Sequence, residues 1–157
     1  MPGVKGRTLQ VISSGGAQGT NGAKRLPLRV VIADDDRDTA TTLAMVLREE
    51  GHEVHTALRG DEVLDACRLL RPDVVIMDVN MPGMSGYAIA HEIHERYGNL
   101  SPLLIAMSGV WTGTPERLAG MALGFDHYLV KPCEPKQLLA LLEPLRRGEQ
   151  AAGERRS

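Results

Sequence analysis

The sequence has few cysteines, few aromatic residues and no long apolar run. Its 157 residues include two Cys, one Phe, one Trp and three Tyr. Two cysteines provide no disulfide framework, so we expect a reducing, cytoplasmic location rather than a secreted scaffold. No stretch approaches the roughly 18 apolar residues that a membrane-spanning helix needs. These absences favour one globular domain with a core of aliphatic side chains, and they predict no membrane contact.

Acidic residues are missing from residues 1–27, which carry four basic side chains and eight Gly or Pro residues. We predict a flexible leader there, because no apolar periodicity offsets the cost of ordering the chain. Residues 28–147 should form the domain, and residues 148–157 should form a disordered tail. Residues 28–143 hold 10 basic and 18 acidic side chains. Such an acidic domain is not expected to bind nucleic acid directly.

Five predicted strands alternate with five predicted helices. The strands are 29–33, 53–56, 73–78, 103–107 and 127–130, and the helices are about 38–50, 60–70, 85–97, a segment opening at Thr114, and 134–143. This alternation predicts an α/β fold, a doubly wound five-stranded parallel sheet flanked by five helices, because parallel strands need crossover connections. Pro144 should kink or end the last helix. About 14 residues follow that helix, too few for an effector domain, so we expect a stand-alone domain.

Three of the predicted strands end in charged residues. The first delivers Asp34, Asp35 and Asp36, the third delivers Asp78, and the fifth delivers Lys131. A single strand-end Asp more often faces solvent, and acids at a helix start are more often caps. The joint occurrence at the carboxyl ends of three strands instead favours a ligand site at that edge of the sheet. Carboxylates that bind a divalent metal, beside a reactive Asp and a Lys, are suited to phosphoryl chemistry on Asp78.

Four segments together resemble the response-regulator receiver domain, the CheY-like (flavodoxin-like) phosphoacceptor module of two-component signalling. They are Val31–Asp36, Asp73–Gly86 with its Asp-x-x-Met-Pro-Gly-Met-x-Gly pattern, Ala106–Gly109 and Tyr128–Pro132. All occur in the family's order and spacing, and the resemblance covers about residues 28–145.

The resemblance implies a phosphoacceptor and a Mg²⁺ site. It makes Asp78 the phosphoacceptor and Asp35 a direct metal ligand. Asp34 would act mainly through bound water, and Asn80 would offer its backbone carbonyl to the metal. Elementary chemistry agrees, because Mg²⁺ prefers a few carboxylates with retained water, and phosphoryl transfer needs neutralised charge on the equatorial oxygens.

The resemblance also implies the groups that respond to the phosphoryl group. Ser108 would donate a hydrogen bond to it, and Lys131 would pair with it through a Lys131–Pro132 bond in the cis form. Tyr128 stands at the family's aromatic switch position. We expect both Ser108 and Lys131 to lie at the polar rim of the sheet, outside the core.

A receiver domain would take its phosphoryl group from a histidine kinase or a histidine phosphotransfer protein. The phosphorylated form would then change the face formed by the fourth helix, fifth strand and fifth helix, which would bind a downstream protein. We expect no enzyme activity beyond its own phosphorylation and dephosphorylation. Two alternatives remain open: an aspartate-dependent phosphatase, although its Asp-x-Asp-x-Thr/Val motif fails because Asp38 stands at the fifth position from Asp34, and a receiver-like binding module that works without phosphorylation.

Overall fold

Strands and helices alternate in the computed structural model, which describes residues 26–109 and 124–148. The elements are β1 Arg29–Ala33, α1 Arg37–Glu49, β2 Glu53–Ala57, α2 Gly60–Leu70, β3 Val74–Asp78, α3 Gly86–Tyr97, a 3₁₀ turn Gly98–Leu100, β4 Leu103–Ser108, β5 His127–Val130 and α4 Pro135–Arg146. The helix predicted to open at Thr114 lies outside the described residues. Our α4 is therefore the fifth helix predicted from the sequence.

All five strands form one parallel sheet in the order β2-β1-β3-β4-β5. The prediction of a doubly wound parallel sheet is confirmed, with four helices in the described part of the chain. In the strand register, Asp78 lies beside Met107, and Ser108 lies beside Val130. The carboxyl ends of β1, β3, β4 and β5 therefore meet along the same edge of the sheet.

The sheet is covered by helices on both faces, and successive residues of each inner strand point to opposite faces. One apolar cluster joins α1 and α4 to the sheet, and its members include Val30, Ile32, Leu43, Leu47, Leu138 and Leu142. The other joins α2 and α3 to the sheet, and its members include Val31, Val75, Val63, Cys67, Ile89 and Ile93. Every residue of β3 is buried, as expected of a central parallel strand covered on both faces.

Local side chains fix where the helices begin and end. At the start of α1, the Asp36 carboxylate accepts the N–H of Asp38 at 3.3 Å. At the start of α3, the Ser85 hydroxyl accepts the N–H of Ala88 at 3.2 Å. Gly51 follows α1 at φ 98°, a left-handed conformation that glycine adopts without a Cβ clash. Among the described residues, no helix has the length and apolarity needed to cross a membrane.

The last helix runs past Pro144, so its predicted end at residue 143 is wrong, and the kink that Pro144 could cause instead stays a prediction. The helix continues to Arg146, whose side chain is buried and donates from Nη2 to the Glu50 carbonyl at 3.1 Å. The Arg146 carbonyl accepts the N–H of Leu26 at 2.8 Å. These long-range contacts hold the last turn in place despite the backbone hydrogen bond that proline cannot donate.

Candidate functional site

Three acidic side chains converge at the carboxyl edge of the sheet. Asp34 and Asp35 follow β1, Asp78 ends β3, and one carboxylate oxygen of each lies within 4.8 Å of the others. Asp34 is 0% exposed and Asp78 is 6% exposed, whereas Asp35 is exposed. The structure thus brings together the three predicted carboxylates and leaves one of them open to solvent.

Local turns hold one oxygen of each buried carboxylate. Asp34 Oδ1 accepts the N–H of Asp36 at 2.9 Å, and Asp78 Oδ1 accepts the N–H of Asn80 at 2.9 Å. Asp and Asn side chains commonly bond to the backbone two residues onward in this way. The contact fixes the orientation of both carboxylates and brings the Asn80 backbone to the site. A metal contact by the Asn80 carbonyl stays a prediction.

Lys131 holds the second oxygen of both buried carboxylates. Its Nζ lies 2.7 Å from Asp34 Oδ2 and 2.9 Å from Asp78 Oδ2. Its backbone N–H donates to the Ser108 carbonyl at 2.7 Å, and the Lys131–Pro132 bond is cis, as predicted. Partial burial lowers the pKa of Lys131, but hydrogen bonds and charge from the two aspartates outweigh it and leave that pKa raised. Lys131 is therefore a cation at this site.

Ser108 lies deeper than the sequence analysis expected, and Tyr128 is also buried. Ser108 is the last residue of β4 and is 0% exposed, so its predicted position outside the core is wrong. The reason is that β4 has a neighbour on each side and pairs through Ser108 with β5. Lys131, whose side chain is 21% exposed, does lie at the rim. The Tyr128 ring is buried in the apolar cluster beneath α2 and α3.

Asp36 belongs to the helix cap and not to the acidic cluster. Its carboxylate accepts the Thr39 hydroxyl at 2.6 Å and the N–H of Asp38. The hydrogen bond from Thr39 is the main cause that lowers the pKa of Asp36. The triplet at residues 34–36 is therefore divided between a buried carboxylate, an exposed carboxylate at the site and a capping residue.

The donor set of the cluster fits a hard divalent cation. It offers three carboxylate oxygens, the ligand type that Mg²⁺ and similar ions prefer, and the exposed Asp35 lets coordinated water remain. Three carboxylates and one ammonium group carry a net charge of about −2, which a divalent ion would neutralise. We therefore consider Asp34, Asp35 and Asp78 able to hold Mg²⁺.

Close packing around the loop after β3 was not predicted from the sequence. The N–H of Gly86 donates to the Val79 carbonyl at 3.0 Å. A Cβ on Gly86 would lie only 2.7 Å from Val79 Cα. The N–H of Gly60 donates to the Pro82 carbonyl at 3.2 Å, which joins this loop to the start of α2. The only sequence signal was the second glycine of the Met-Pro-Gly-Met-x-Gly pattern.

An open groove of about 480 Å³ lies beside the acidic cluster. Its lining includes Thr39 and Leu43 from α1, and Cys133 and Pro135 from the connection between β5 and α4. Lys131 also borders it. The groove therefore lies against the cation of the site.

This fold and site define a phosphoacceptor class, and comparison with known sequences supports the assignment. The family model described as "Response regulator receiver domain" matches residues 30–143. The chain belongs to that family. A "DNA-binding response regulator MtrA" from Mycolicibacterium smegmatis is 35% identical over 127 residues, which cover 80% of this chain and 54% of the relative. The "Probable transcriptional regulatory protein TcrX" from Mycobacterium tuberculosis is 34% identical over 121 residues, which cover 77% of this chain and 50% of the relative. The chain thus spans about half the length of the curated relatives it matches.

Solved structures show the same fold. The chemotaxis response regulator CheY4 of Vibrio cholerae superposes with a TM-score of 0.69 at 29% identity, over 76% of this chain and 98% of that one. A putative response regulator from Chloroflexus aurantiacus gives a TM-score of 0.69 at 30% identity, over 78% of this chain and 99% of that one. The receiver-domain resemblance drawn from the sequence is therefore confirmed.

Proposed function

We propose that this receiver domain accepts a phosphoryl group on Asp78 from a histidine kinase or a histidine phosphotransfer protein. The observation that carries the proposal is the position of the Asp78 carboxylate. Its Oδ2 lies 2.9 Å from Lys131 Nζ and inside the cluster formed with Asp34 and Asp35. A carboxylate at a buried edge, beside a cation and a divalent-metal site, is equipped for phosphoryl transfer, which depends on positioning and charge neutralisation.

In the proposed reaction, an oxygen of Asp78 attacks the phosphorus of a phosphohistidine in the donor. A new O–P bond forms, the P–N bond of the donor breaks, and the imidazole leaves with its electron pair and takes up a proton. When bound, Mg²⁺ supplies positive charge that neutralises the phosphoryl oxygens. Asp35 would hold the metal directly, Asp34 mainly through bound water, and Asn80 through its carbonyl. The groove beside α1, which borders Lys131, would be where the donor docks.

Lys131 and Ser108 would act after transfer. The Lys131 ammonium would leave the oxygens of Asp34 and Asp78 and pair with the phosphoryl group, and the Ser108 hydroxyl would donate to it. Because Lys131 follows β5 directly and α4 begins at Pro135, a shift of Lys131 would reach the face that includes β5 and α4. Tyr128 on β5 would move with it. We propose that this face, together with the predicted fourth helix, binds a downstream protein.

The remaining proposals concern the setting of the domain. We propose a cytoplasmic location, no direct membrane contact, and no catalysis beyond the domain's own phosphorylation and dephosphorylation. The MtrA relatives are named as DNA-binding regulators, and about half of their length is matched here. For residues 28–147 themselves, we propose no direct contact with nucleic acid, because this acidic domain would repel the phosphate backbone. We propose that residues 28–147 are the unit that carries this chemistry.

The decisive experiment is labelling by acetyl phosphate with Mg²⁺, followed by intact-mass analysis. The wild type should gain one phosphoryl group, and Asp78→Asn should gain none. Asp65→Asn is the matched control, because Asp65 is an exposed carboxylate on α2 and should leave labelling unchanged. Undiminished labelling of Asp78→Asn would refute the assignment. Repeated turnover of a phosphomonoester would instead favour the aspartate-dependent phosphatase, and a wild type that is never labelled would favour the phosphorylation-independent binding module.

A further inference from the structure

Three chain segments meet at the amino edge of the sheet, opposite the acidic cluster. They are Leu26–Leu28 before β1, Glu50–His52 between α1 and β2, and Arg146–Gly148 at the end of α4. The first and third are the places where residues 1–25 enter the described domain and residues 149–157 leave it. A contact here therefore controls how both ends of the chain are attached.

Arg146 joins two of these segments. Its carbonyl accepts the N–H of Leu26 at 2.8 Å, and its Nη2 donates to the Glu50 carbonyl at 3.1 Å. Arg146 is only 8% exposed, and its Nη1 lies 3.5 Å from Glu50 Oε1 and 3.8 Å from Glu143 Oε2. A buried guanidinium with these contacts holds the start of the domain and the end of α1 against the last turn of α4.

His52 joins the segment between α1 and β2 to the segment before β1 through an unprotonated ring nitrogen. It is 4% exposed, and its Nδ1 accepts the backbone N–H of Leu28 at 3.0 Å. A ring nitrogen accepts only when it carries no proton, so His52 is the neutral tautomer with its proton on Nε2. Protonation of Nδ1 would place two N–H groups against each other. It would also place a second cation beside Arg146.

The surroundings of His52 make the charged ring unfavourable in the closed structure. Burial, followed by the charge of Arg146, lowers the pKa of His52 to about 4, although Glu50 and Glu143 oppose this effect. The pKa of an exposed histidine is about 6.5. The closed form, in which His52 Nδ1 accepts the Leu28 N–H, is therefore fully stable above pH 6.5. It loses stability as the pH falls from 6.5 towards 4, because His52 binds a proton more tightly in the open form, where this hydrogen bond is broken and the ring is exposed.

We propose that His52 and Arg146 form a clasp that joins the two ends of the domain at neutral pH and opens in mild acid. Opening breaks the bond from Leu28 N–H to His52 Nδ1 and frees Leu26–Leu28 from the last turn of α4. The device is separate from phosphoryl chemistry, since its groups lie at the opposite edge of the sheet from Asp78. It couples the attachment of the flanking segments, and the end of α4, to pH.

Amide hydrogen exchange at Leu28, measured by NMR on the full chain and corrected for the intrinsic rate, tests the clasp. A ring pKa of about 4 when closed and about 6.5 when open predicts a loss of Leu28 protection of about 25-fold between pH 7.5 and pH 5. The amide of Val79, which donates to Met107 in the sheet, should not lose protection in parallel. The wild-type His52 ring should titrate with a midpoint well below 6.5.

His52→Asn is the matched variant, because Asn Oδ1 can accept from Leu28 N–H and does not titrate. Protection of Leu28 should then hardly change between pH 7.5 and pH 5. Arg146→Gln, which removes the neighbouring cation, should move the His52 midpoint to higher pH. The clasp is overturned if wild-type Leu28 protection does not depend on pH, if His52→Asn loses it as the wild type does, or if Val79 loses protection equally. Should His52→Asn not fold, an ordinary titration of the wild-type ring near pH 6.5 with Leu28 still protected overturns it as well.

Discussion

Replacing Lys131 with Met should strengthen the binding of Mg²⁺ to the unphosphorylated domain. Lys131 Nζ contacts Asp34 Oδ2 and Asp78 Oδ2 at 2.7 and 2.9 Å. The other oxygen of each carboxylate is already held by a backbone N–H. A metal ion bound to these carboxylates would therefore compete with the ammonium group for them. Methionine keeps the length of the side chain and removes this competition.

The size of the effect follows from the charges. Removing Lys131 changes the charge of the cluster from about −2 to about −3, and a unit charge about 4 Å away contributes roughly 1 kcal/mol in water and about 4 kcal/mol near a protein surface. The exposed Asp35 keeps the site partly wet, so we expect about 1.4–2 kcal/mol. The dissociation constant for Mg²⁺ should therefore fall roughly ten- to thirtyfold. Without metal, the variant should lose about 1–3 kcal/mol of stability, because two buried carboxylates lose their cation.

Isothermal titration calorimetry on chelator-treated protein measures the affinity, and thermal unfolding with and without Mg²⁺ measures the stability. Lys136→Met is the matched control, since Lys136 is exposed on α4 and its removal changes the net charge equally. Its Mg²⁺ affinity should shift far less than that of Lys131→Met. Unchanged or weakened Mg²⁺ binding in Lys131→Met would refute the view that the lysine and the metal compete for the same carboxylates.

Further expectations concern the division of the acidic triplet and the close packing after β3. Asp35→Ala should weaken Mg²⁺ binding at least tenfold, about 1.4 kcal/mol. Asp36→Ala should leave it nearly unchanged, because Asp36 bonds to Thr39; equal losses by calorimetry would show that both residues serve the metal. Gly86→Ala should lower the free energy of unfolding in urea by about 1–3 kcal/mol, because the added methyl would meet the Val79 backbone at 2.7 Å. A wild-type midpoint for Gly86→Ala would contradict that packing.

The sheet and the location of the site could be predicted because both depend on short sequence patterns within and at the ends of single strands. The apolar run of β3 is buried along its whole length, and such a run indicates a strand covered on both faces. Once the strands are parallel, their carboxyl ends must share an edge, and this brings Asp34, Asp78 and Lys131 together without any knowledge of side-chain positions.

Details that depend on distant parts of the chain could not be predicted. The burial of Ser108 depends on β5, which pairs with the end of β4. The continuation of α4 past Pro144 depends on contacts of Arg146 with Glu50, 96 residues away in sequence. The role of His52 as an acceptor depends on the backbone of Leu28, 24 residues earlier. Local sequence patterns do not indicate such pairs, because neither residue of a pair differs from its neighbours in a way that predicts the contact.

The geometry of Lys131 links the resting state to the proposed response. The lysine contacts Asp34 and Asp78 together, so it neutralises both carboxylates while Asp78 carries no phosphoryl group. A phosphoryl group on Asp78 would occupy one carboxylate oxygen and would offer new negative oxygens near the lysine. The same cation would then have different partners in the two states, which is what a switch requires energetically. Because the Lys131 backbone is bonded to Ser108 and leads directly to α4, the exchange of partners would act on β4, β5 and α4 at once.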